Sequence, residues 1–246
     1  CSTIINGFVS DQVDLILANA TGALQAAVAG TSDIPILGTA VTDYATALDI
    51  DDWTGTVGGN VSGTSDCAPL DQQAAMILEL VPEAKTVGML YCSAEPNSEY
   101  QVNVVTEALK ELNPDLEIKN YTFADSNDIS SVATSATECD VVYIPTDNTA
   151  ANKTEAINNV MEPAGVPVIA GEAGICQGCG IATLSISYYD LGYTTGEMAY
   201  EILEDGADIS TMEVQYAPNV TKQYKADRCE KLGITVPDDY EAIEAE

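Results

Sequence analysis

The residues best suited to bind a small molecule are polar clusters that directly follow short apolar runs. The clearest cluster lies in 140–149, where a β-branched run ends in Thr146, Asp147, Asn148 and Thr149. Four other runs end in the same way, at 13–18, 34–38, 86–91 and 166–170. Each run has the length of a strand that is buried on both faces, and most are followed by a helical pattern. Because strand carboxyl ends form the ligand crevice of a doubly wound α/β sheet, the five clusters predict one small-molecule site.

The charge of the chain excludes several classes of partner. The 246 residues carry a formal net charge of −31, and no Lys or Arg precedes Lys85. Such a surface repels nucleic acid and anionic lipid, so neither is an expected partner. The acidic surface is either simply solvated or concentrates cationic and zwitterionic ligands. No apolar segment reaches the roughly 20 residues that span a bilayer, and no signal-peptide pattern begins the chain.

Cysteine and histidine content argues against catalysis. The chain has seven Cys and no His, so acid–base chemistry by His and a Cys–His pair are both excluded. Cys176 and Cys179 form a C-x-x-C between glycines, which we interpret as a loop holding a local disulfide or two free thiols. No second pair completes a zinc site, and no phosphate-binding glycine motif is present. We therefore expect no cofactor, no metal and no enzyme, although paired acids alone could still hydrolyse a substrate.

The order of the elements predicts two lobes. Apolar runs and helical patterns alternate along the whole chain, which favours parallel sheets covered by helices on both faces. The Gly-rich stretch 55–63 resembles a crossover between lobes. We expect a partial first lobe at 1–63 plus 183–211 and a second lobe at 64–182 plus 212–246. Residues 1–9 read as the middle of a helix with Ile4, Ile5, Phe8 and Val9 on one face, so we expect a strand–helix–strand unit ahead of Cys1.

Six sequence blocks carry a family resemblance. They occur in order over nearly the whole chain, at 13–21, 39–43, 58–66, 84–91, 143–149 and 188–196. Together they resemble the ABC-transporter substrate-binding proteins of the type that binds tryptophan, tyrosine or phenylalanine. Compared with that family the chain begins late, near the second helix of the first lobe. The cysteines at 176 and 179, in a loop expected near the cleft, are a second departure.

The resemblance implies a fold and a function. The fold would be that of a type 1 periplasmic binding protein, with two doubly wound parallel-sheet lobes joined by three crossovers and a first lobe that is incomplete. Such a protein captures an amino acid, here an aromatic one, by hinge closure and delivers it to an ABC permease. It would be extracytoplasmic, either periplasmic or a cell-surface lipoprotein whose lipid anchor lies outside this chain. The alternative is a ligand-sensing domain of a receptor or regulator with the same fold.

An amino acid ligand assigns roles to the polar clusters. Asp147 is the first choice for the ammonium group, because a charge-assisted hydrogen bond is stronger at a partly desolvated site. Glu172 is the second choice, and helix capping is the alternative for Asp147. The ligand carboxylate would suit exposed N–H groups at a helix start, either at Thr21 or at the pair Asn97 and Ser98. The latter residues could also be simple caps.

The remaining predicted ligand contacts lie at strand ends and crossovers. They are Thr42, Asp43, Ser65, Asp66, Asn148 and Tyr188. Tyr188, like its neighbour Tyr189, could stack on an aromatic ring or pack in the core of a hinge. Trp53 lies in an acidic loop, and we interpret it as surface packing.

Overall fold

The computed structural model describes residues 1–243 and divides the chain into two compact units. Unit 1 comprises Cys1–Cys67 and Ile186–Asn219, and unit 2 comprises Ala68–Ser185 and the chain from Val220 onward. The chain thus passes between the units after Cys67, Ser185 and Asn219. The crossovers predicted from the sequence lie a few residues earlier, after residues 63, 182 and 211. Among the described residues, no helix is both long and apolar enough to cross a membrane.

Unit 1 is a parallel four-stranded sheet with helices. Its helices, labelled in chain order over the whole molecule, are α1 (Ser2–Asp11), α2 (Thr21–Gly30), α3 (Tyr44–Leu48) and α10 (Tyr188–Leu203). Its strands are β1 (Ile16–Asn19), β2 (Ile36–Val41), β3 (Val61–Ser65) and β9 (Gln215–Tyr216), in the order β1-β2-β3-β9. Every pair of neighbours runs parallel, so the carboxyl ends of all four strands lie at one edge.

Unit 2 contains a seven-stranded sheet in the order β11-β10-β8-β7-β6-β4-β5. Its strands are β4 (Thr86–Cys92), β5 (Glu117–Phe123), β6 (Val141–Ile144), β7 (Val168–Ala170), β8 (Ala182–Ile186), β10 (Val220–Tyr224) and β11 (Glu241–Ala242). Its helices are α4 (Leu70–Leu80), α5 (Pro96–Leu112), α6 (Ile129–Ala136), α7 (Asn148–Ala151), α8 (Thr154–Ala164), α9 (Ala173–Cys179) and α11 (Ala226–Leu232). The central pairs, from β5 through β4, β6 and β7 to β8, run parallel.

Each unit has its own hydrophobic core, built by the apolar runs that the sequence analysis singled out. In unit 1, Ile16, Ile36 and Val61 of neighbouring strands pack with the helices. In unit 2, the strand residues Val142 and Ile144 are fully buried together with residues of the helices around them. The α/β fold class predicted from alternation is therefore confirmed, since continuous apolar runs are typical of strands covered on both faces.

The predicted helix at the start of the chain is present as α1, and its predicted apolar face is largely exposed. Of the four side chains assigned to that face, only Ile5 is buried, whereas Ile4 is 61% exposed and Phe8 and Val9 are each 37% exposed. Ile5 lies against Gly30 of α2, and this contact accounts for its burial. The close contact between α1 and α2 at this point therefore buries one of the four apolar side chains.

Gly63 shows how closely β2 and β3 approach each other in unit 1. Its φ of +149° lies in the region that favours glycine, and a Cβ there would collide with the backbone of Gly38 and with the hydroxyl of Tyr44. The same hydroxyl donates a hydrogen bond to Thr64 O at 3.2 Å. The tyrosine is therefore anchored beside the strand ends that carry the polar cluster of unit 1.

Candidate functional site

The polar edge of unit 1 begins with an unusual helix start. Ala20 precedes α2 with φ +74° and ψ 158°, a conformation that is strained for a residue with a Cβ and is typical of functional sites. Its carbonyl accepts from the N–H groups of Ala23 and Leu24, while its own N–H donates to Thr39 O. The N–H groups of Thr21 and Gly22 bond to no acceptor in the described part of the chain, as expected for a first helical turn. They carry the positive end of the helix dipole, which suits a carboxylate.

Asp66, directly after β3, is the buried carboxylate of this edge. It is 4% exposed, and its two oxygens accept hydrogen bonds from Thr42 Oγ1 at 3.0 Å and from the Tyr188 hydroxyl at 3.1 Å. Unit 1 contains no Lys or Arg, because the first of these residues is Lys85 and none lies between Ile186 and Asn219. Burial raises the pKa of Asp66, and the two hydroxyl bonds only partly oppose that rise. Asp66 is thus a buried acid that has no cationic side chain within its own unit.

The other predicted residues of unit 1 mainly shape the backbone around Asp66. Asp43 caps α3 by accepting from Thr46 N at 2.7 Å, and it is partly exposed. Ser65 donates to Thr42 O at 2.8 Å and accepts from Cys67 N at 3.2 Å, which links the ends of β2 and β3. Four of the predicted residues, Thr42, Ser65, Asp66 and Tyr188, are therefore brought together by direct hydrogen bonds.

Tyr216 is a residue of this edge that sequence reasoning missed. It ends β9 beside β3, is 56% exposed, and lies close enough to Asp43 and Cys67 for both to affect it. Burial of part of the ring, followed by the charge of Asp43, raises the pKa of its hydroxyl. A two-residue strand shows no alternation of apolar and polar residues, so the sequence offered no signal for its position.

The polar edge of unit 2 is organised around Asp147. This carboxylate is 1% exposed and accepts three hydrogen bonds, from Ala150 N at 2.7 Å, Cys92 N at 2.7 Å and Ser98 Oγ at 2.8 Å. The first of these bonds makes it the N-cap of α7. Burial raises the pKa of Asp147, the nearby charge of Glu95 raises it further, and the three donors oppose both. The capping alternative is thus what the structure shows, and its proposed role towards a ligand stays a prediction.

Glu95 is a second acid of this edge that the sequence analysis did not single out. Its oxygens accept from the N–H groups of Asn148 and Thr149, each at 2.9 Å, and from both of their side chains. Burial pushes the pKa of Glu95 upward, but these four bonds outweigh it and hold the pKa below its usual value. The available signal was its place before Pro96, since an acid just ahead of a first-turn proline is typical of a helix start.

Asn97 and Glu172 also serve the backbone of unit 2. Asn97 is buried and donates to Thr146 O at 3.0 Å. Glu172 is the N-cap of α9, with its carboxylate accepting from Gly174 N at 2.7 Å and from Ile175 N. Within the described residues, no group of three or more Cys, Asp and Glu side chains is arranged to hold a metal ion.

The predicted loop around Cys176 and Cys179 is wrong, because both residues lie in α9. The helix is stabilised at both ends, by the Glu172 cap and by Arg228, whose guanidinium donates to the carbonyls of residues 176, 177, 178 and 180 at 2.8–3.0 Å. Both cysteines are buried free thiols. Burial raises the pKa of Cys179 to about 12, so the thiol stays protonated and is a poor nucleophile.

The comparison with protein families defines the class of this protein. The model of the ABC transporter substrate binding protein family matches residues 1–245. The chain therefore belongs to this family, and the resemblance seen in the six sequence blocks is confirmed. Because it is a family of solute-binding proteins, membership also supports a binding role rather than a catalytic one.

Individual relatives give more specific comparisons than the family model does. A tyrosine-binding protein of Clostridioides difficile (strain R20291) is 37% identical over 203 residues, which are 82% of this chain and 58% of the relative. The chain thus spans less than two thirds of that relative's length. A domain from Streptococcus pneumonia crystallised in complex with L-Trp is 30% identical with a TM-score of 0.90, covering 96% of this chain and 79% of its own. The ligand-free, open structure of a Clostridium difficile substrate-binding protein with adhesive properties is 33% identical with a TM-score of 0.73, covering 100% and 83%.

Proposed function

We propose that this protein binds an aromatic L-amino acid for an ABC importer, with the ligand ammonium group held by Asp66. The observation that carries the proposal is a buried carboxylate in a unit without any Lys or Arg. A buried charge is unfavourable unless it is paired, and a cationic ligand group would supply the missing charge. The preference for Asp66 over Asp147 follows from their donors, since Asp147 accepts from three groups of its own unit, two of them backbone N–H groups, and Asp66 accepts from two hydroxyl groups.

The start of α2 is the proposed partner of the ligand carboxylate. Asp66 reaches Thr42 at the end of β2, and β2 neighbours β1, whose end leads into Thr21. Neighbouring strands are about 4.8 Å apart, so the ends of β1 and β3, two spacings apart, are separated by roughly 10 Å. We propose that one α-amino acid, with a hydrogen bond at each of its charged groups, bridges the gap between the Asp66 carboxylate and the N–H groups of α2. The two charged groups of a zwitterion would then each meet the opposite charge.

Two tyrosines support an aromatic side chain in the ligand. Tyr188 is held by Asp66 and Tyr216 lies beside Asp43, so both rings border the proposed head-group site. Aromatic pairs in offset or edge-to-face contact add about 0.5–1.5 kcal/mol beyond simple burial. The tyrosine-binding relative and the relative crystallised with L-Trp support the same class of ligand.

For unit 2, the proposed ligand contacts are the two predicted residues that stay at least partly exposed, Asn148 and Glu172. Asn97, Ser98 and Asp147 are buried in bonds to other residues of the unit, which makes a supporting role the better proposal for them. The permease as partner, the extracytoplasmic location and a lipid anchor outside this chain are further parts of the proposal. Family membership supports the first two.

Calorimetric titration with L-tryptophan, L-tyrosine and L-phenylalanine tests the proposal. Asp66→Asn should weaken binding by about 100-fold, because truncating one partner of a buried charge pair costs roughly 2–5 kcal/mol. The matched control is Asp208→Asn, an exposed acid of the same unit that caps the turn at 209–211, and we expect its affinity to stay within about twofold of wild type.

N-acetyl-L-tryptophan separates the role of the charge from other effects of the substitution. The wild-type protein should bind it about as weakly as Asp66→Asn binds tryptophan, and the substitution should add no further loss. Equal affinity of wild type and Asp66→Asn for tryptophan would remove Asp66 from the site. Binding of a sugar or nucleoside without any aromatic amino acid would overturn the ligand class.

A further inference from the structure

Unit 2 has an apolar cavity at the edge of its sheet opposite to the polar strand ends. Its volume is about 140 Å³, and it lies where β7 begins and just ahead of β8, between the ends of α8 and α9 and the last turn of α11. Its apolar walls are formed by Met161, Val166, Val168, Cys179, Ile181 and Leu232. A cavity of about 150 Å³ with apolar walls is large enough to hold benzene, so this one has room for a single six-membered ring.

One polar group in the cavity wall lacks a partner. Asn158 lines the cavity, and its Oδ1 is buried without a hydrogen bond in the described part of the chain. Its Nδ2 donates to Glu162 Oε2 at 2.7 Å, which fixes the orientation of the amide, because the opposite orientation would set two oxygens against each other. A buried acceptor without a donor is unfavourable by about 1–3 kcal/mol, and a ligand with one donor would remove that penalty.

The charges around the cavity are already neutralised. The guanidinium of Arg228 is engaged by four carbonyls at the end of α9, where the helix dipole is negative. Lys231 pairs with Glu162. An anionic ligand therefore gains little here, and the cavity favours an uncharged one.

We propose that this cavity is a second binding site, separate from the amino acid site, for an uncharged compound with one aromatic ring and one hydrogen-bond donor. The ring is favoured over an aliphatic group because two sulfur atoms, of Met161 and Cys179, belong to the wall, and sulfur–aromatic contacts are favourable. The donor would bind Asn158 Oδ1. Lys231 and Glu162 also line the cavity, and an exposed ion pair of this kind contributes at most about 1 kcal/mol, so separating the two side chains would cost little.

The test uses the five methionines as reporters. With ¹³C-methyl methionine, titration of phenol should shift the Met161 signal strongly through the ring current, while the other four signals stay in place. Met161→Leu assigns that signal. Toluene, which has the same ring without the donor, is the reference ligand, and the quantity to compare between protein variants is the ratio of phenol affinity to toluene affinity.

Two variants make the result decisive. Asn158→Leu keeps the size of the side chain and removes the acceptor, so it should lower the ratio of phenol affinity to toluene affinity by about tenfold, as expected for one hydrogen bond to a buried acceptor. Leu232→Phe should fill the cavity and abolish the Met161 shift, while affinity for the amino acid ligand stays unchanged in both variants. Shifts at all five methionines, or an unchanged Met161 shift in Leu232→Phe, would overturn the site. The same ratio of phenol affinity to toluene affinity in wild type and in Asn158→Leu would overturn the role of Asn158.

Discussion

Asp66 in unit 1 and Asp147 in unit 2 both follow a buried strand, and both are almost completely buried, but different donors hold them. Asp66 accepts from two hydroxyl groups, those of Thr42 and Tyr188. Asp147 accepts from two backbone N–H groups and one hydroxyl, with Glu95 close enough to raise its pKa. A hydroxyl can donate or accept, whereas a backbone N–H only donates.

This difference is the basis for proposing that Asp66 is available to a ligand, whereas Asp147 stabilises the fold of its own unit. The two amides fix Asp147 as an acceptor at both oxygens, so it cannot exchange partners without loss. Asp66 keeps its remaining acceptor positions and has no Lys or Arg in its unit. We therefore propose Asp66 as the receptor for a cationic ligand group, with its unpaired charge lowering the stability of the ligand-free state.

The largest effect that we expect is on stability, from Asp147→Asn. Whichever way the new amide is oriented, its NH₂ group faces a backbone N–H, of Ala150 or of Cys92, so one donor is left buried without an acceptor. The free energy of unfolding should fall by about 3–5 kcal/mol, measured by urea denaturation. The control is Asp43→Asn, a cap with one bond to a backbone N–H, for which about 1 kcal/mol is expected. If Asp147→Asn lowered the free energy of unfolding no more than Asp43→Asn does, the distinction between Asp147 and Asp66 would not hold.

Glu95→Gln should have the second largest effect. Both oxygens of Glu95 accept from backbone N–H groups, of Asn148 and Thr149, so the amide again meets a donor that cannot accept. Because Glu95 is partly exposed and water can replace a lost bond, we expect a smaller loss of about 2 kcal/mol by the same measurement. An unchanged midpoint would show that the start of α7 does not depend on this acid.

Asp66→Asn should stabilise the ligand-free protein, opposite in sign to both substitutions above. The amide can donate to one hydroxyl and accept from the other, and it removes a buried charge, so a gain of about 1 kcal/mol is expected. Thermal unfolding without ligand measures it, and the same variant should lose the increase in midpoint that tryptophan produces in the wild type. A destabilised Asp66→Asn would mean that the charge of Asp66 is compensated within the protein.

The smallest effect is a pH dependence that differs in sign between Asp66 and Glu95. The raised pKa of Asp66 means that its contribution to stability is complete below its unfolded value, near 3.8, and is lost as the pH rises through the folded pKa. Glu95 has a lowered pKa, so its contribution is present above about 4.5 and is lost as the pH falls through the folded pKa. As the pH falls, the stability gain of Asp66→Asn over wild type should shrink, and below about pH 4.5 the stability loss of Glu95→Gln should shrink as well. Urea denaturation over a pH series from 7 down to about 2 measures both changes. An advantage of Asp66→Asn that grows in acid would contradict the raised pKa.

What the sequence by itself determined is the local pattern: buried strands, the helices between them, and the polar residues at the strand ends. The prediction of a parallel α/β fold rests on the lengths and spacing of runs such as those before Asp147 and Thr42, and these are properties of neighbouring residues. The same pattern could not rank Asp147 against Asp66, because their partners are distant. Cys92 is 55 residues from Asp147, and Thr42 is 24 residues from Asp66.

Only the tertiary structure decided which donors reach each carboxylate. In the folded chain Asp147 caps α7, and Glu95 accepts a hydrogen bond from Thr149, 54 residues away. Cys176 lies in a helix that Arg228 stabilises, where the sequence predicted a loop. Strand register and helix packing determine these contacts, and no local spacing encodes them. The pKa and the availability of a buried acid depend on those distant donors, which is why the polar clusters were visible in the sequence while their separate roles were not.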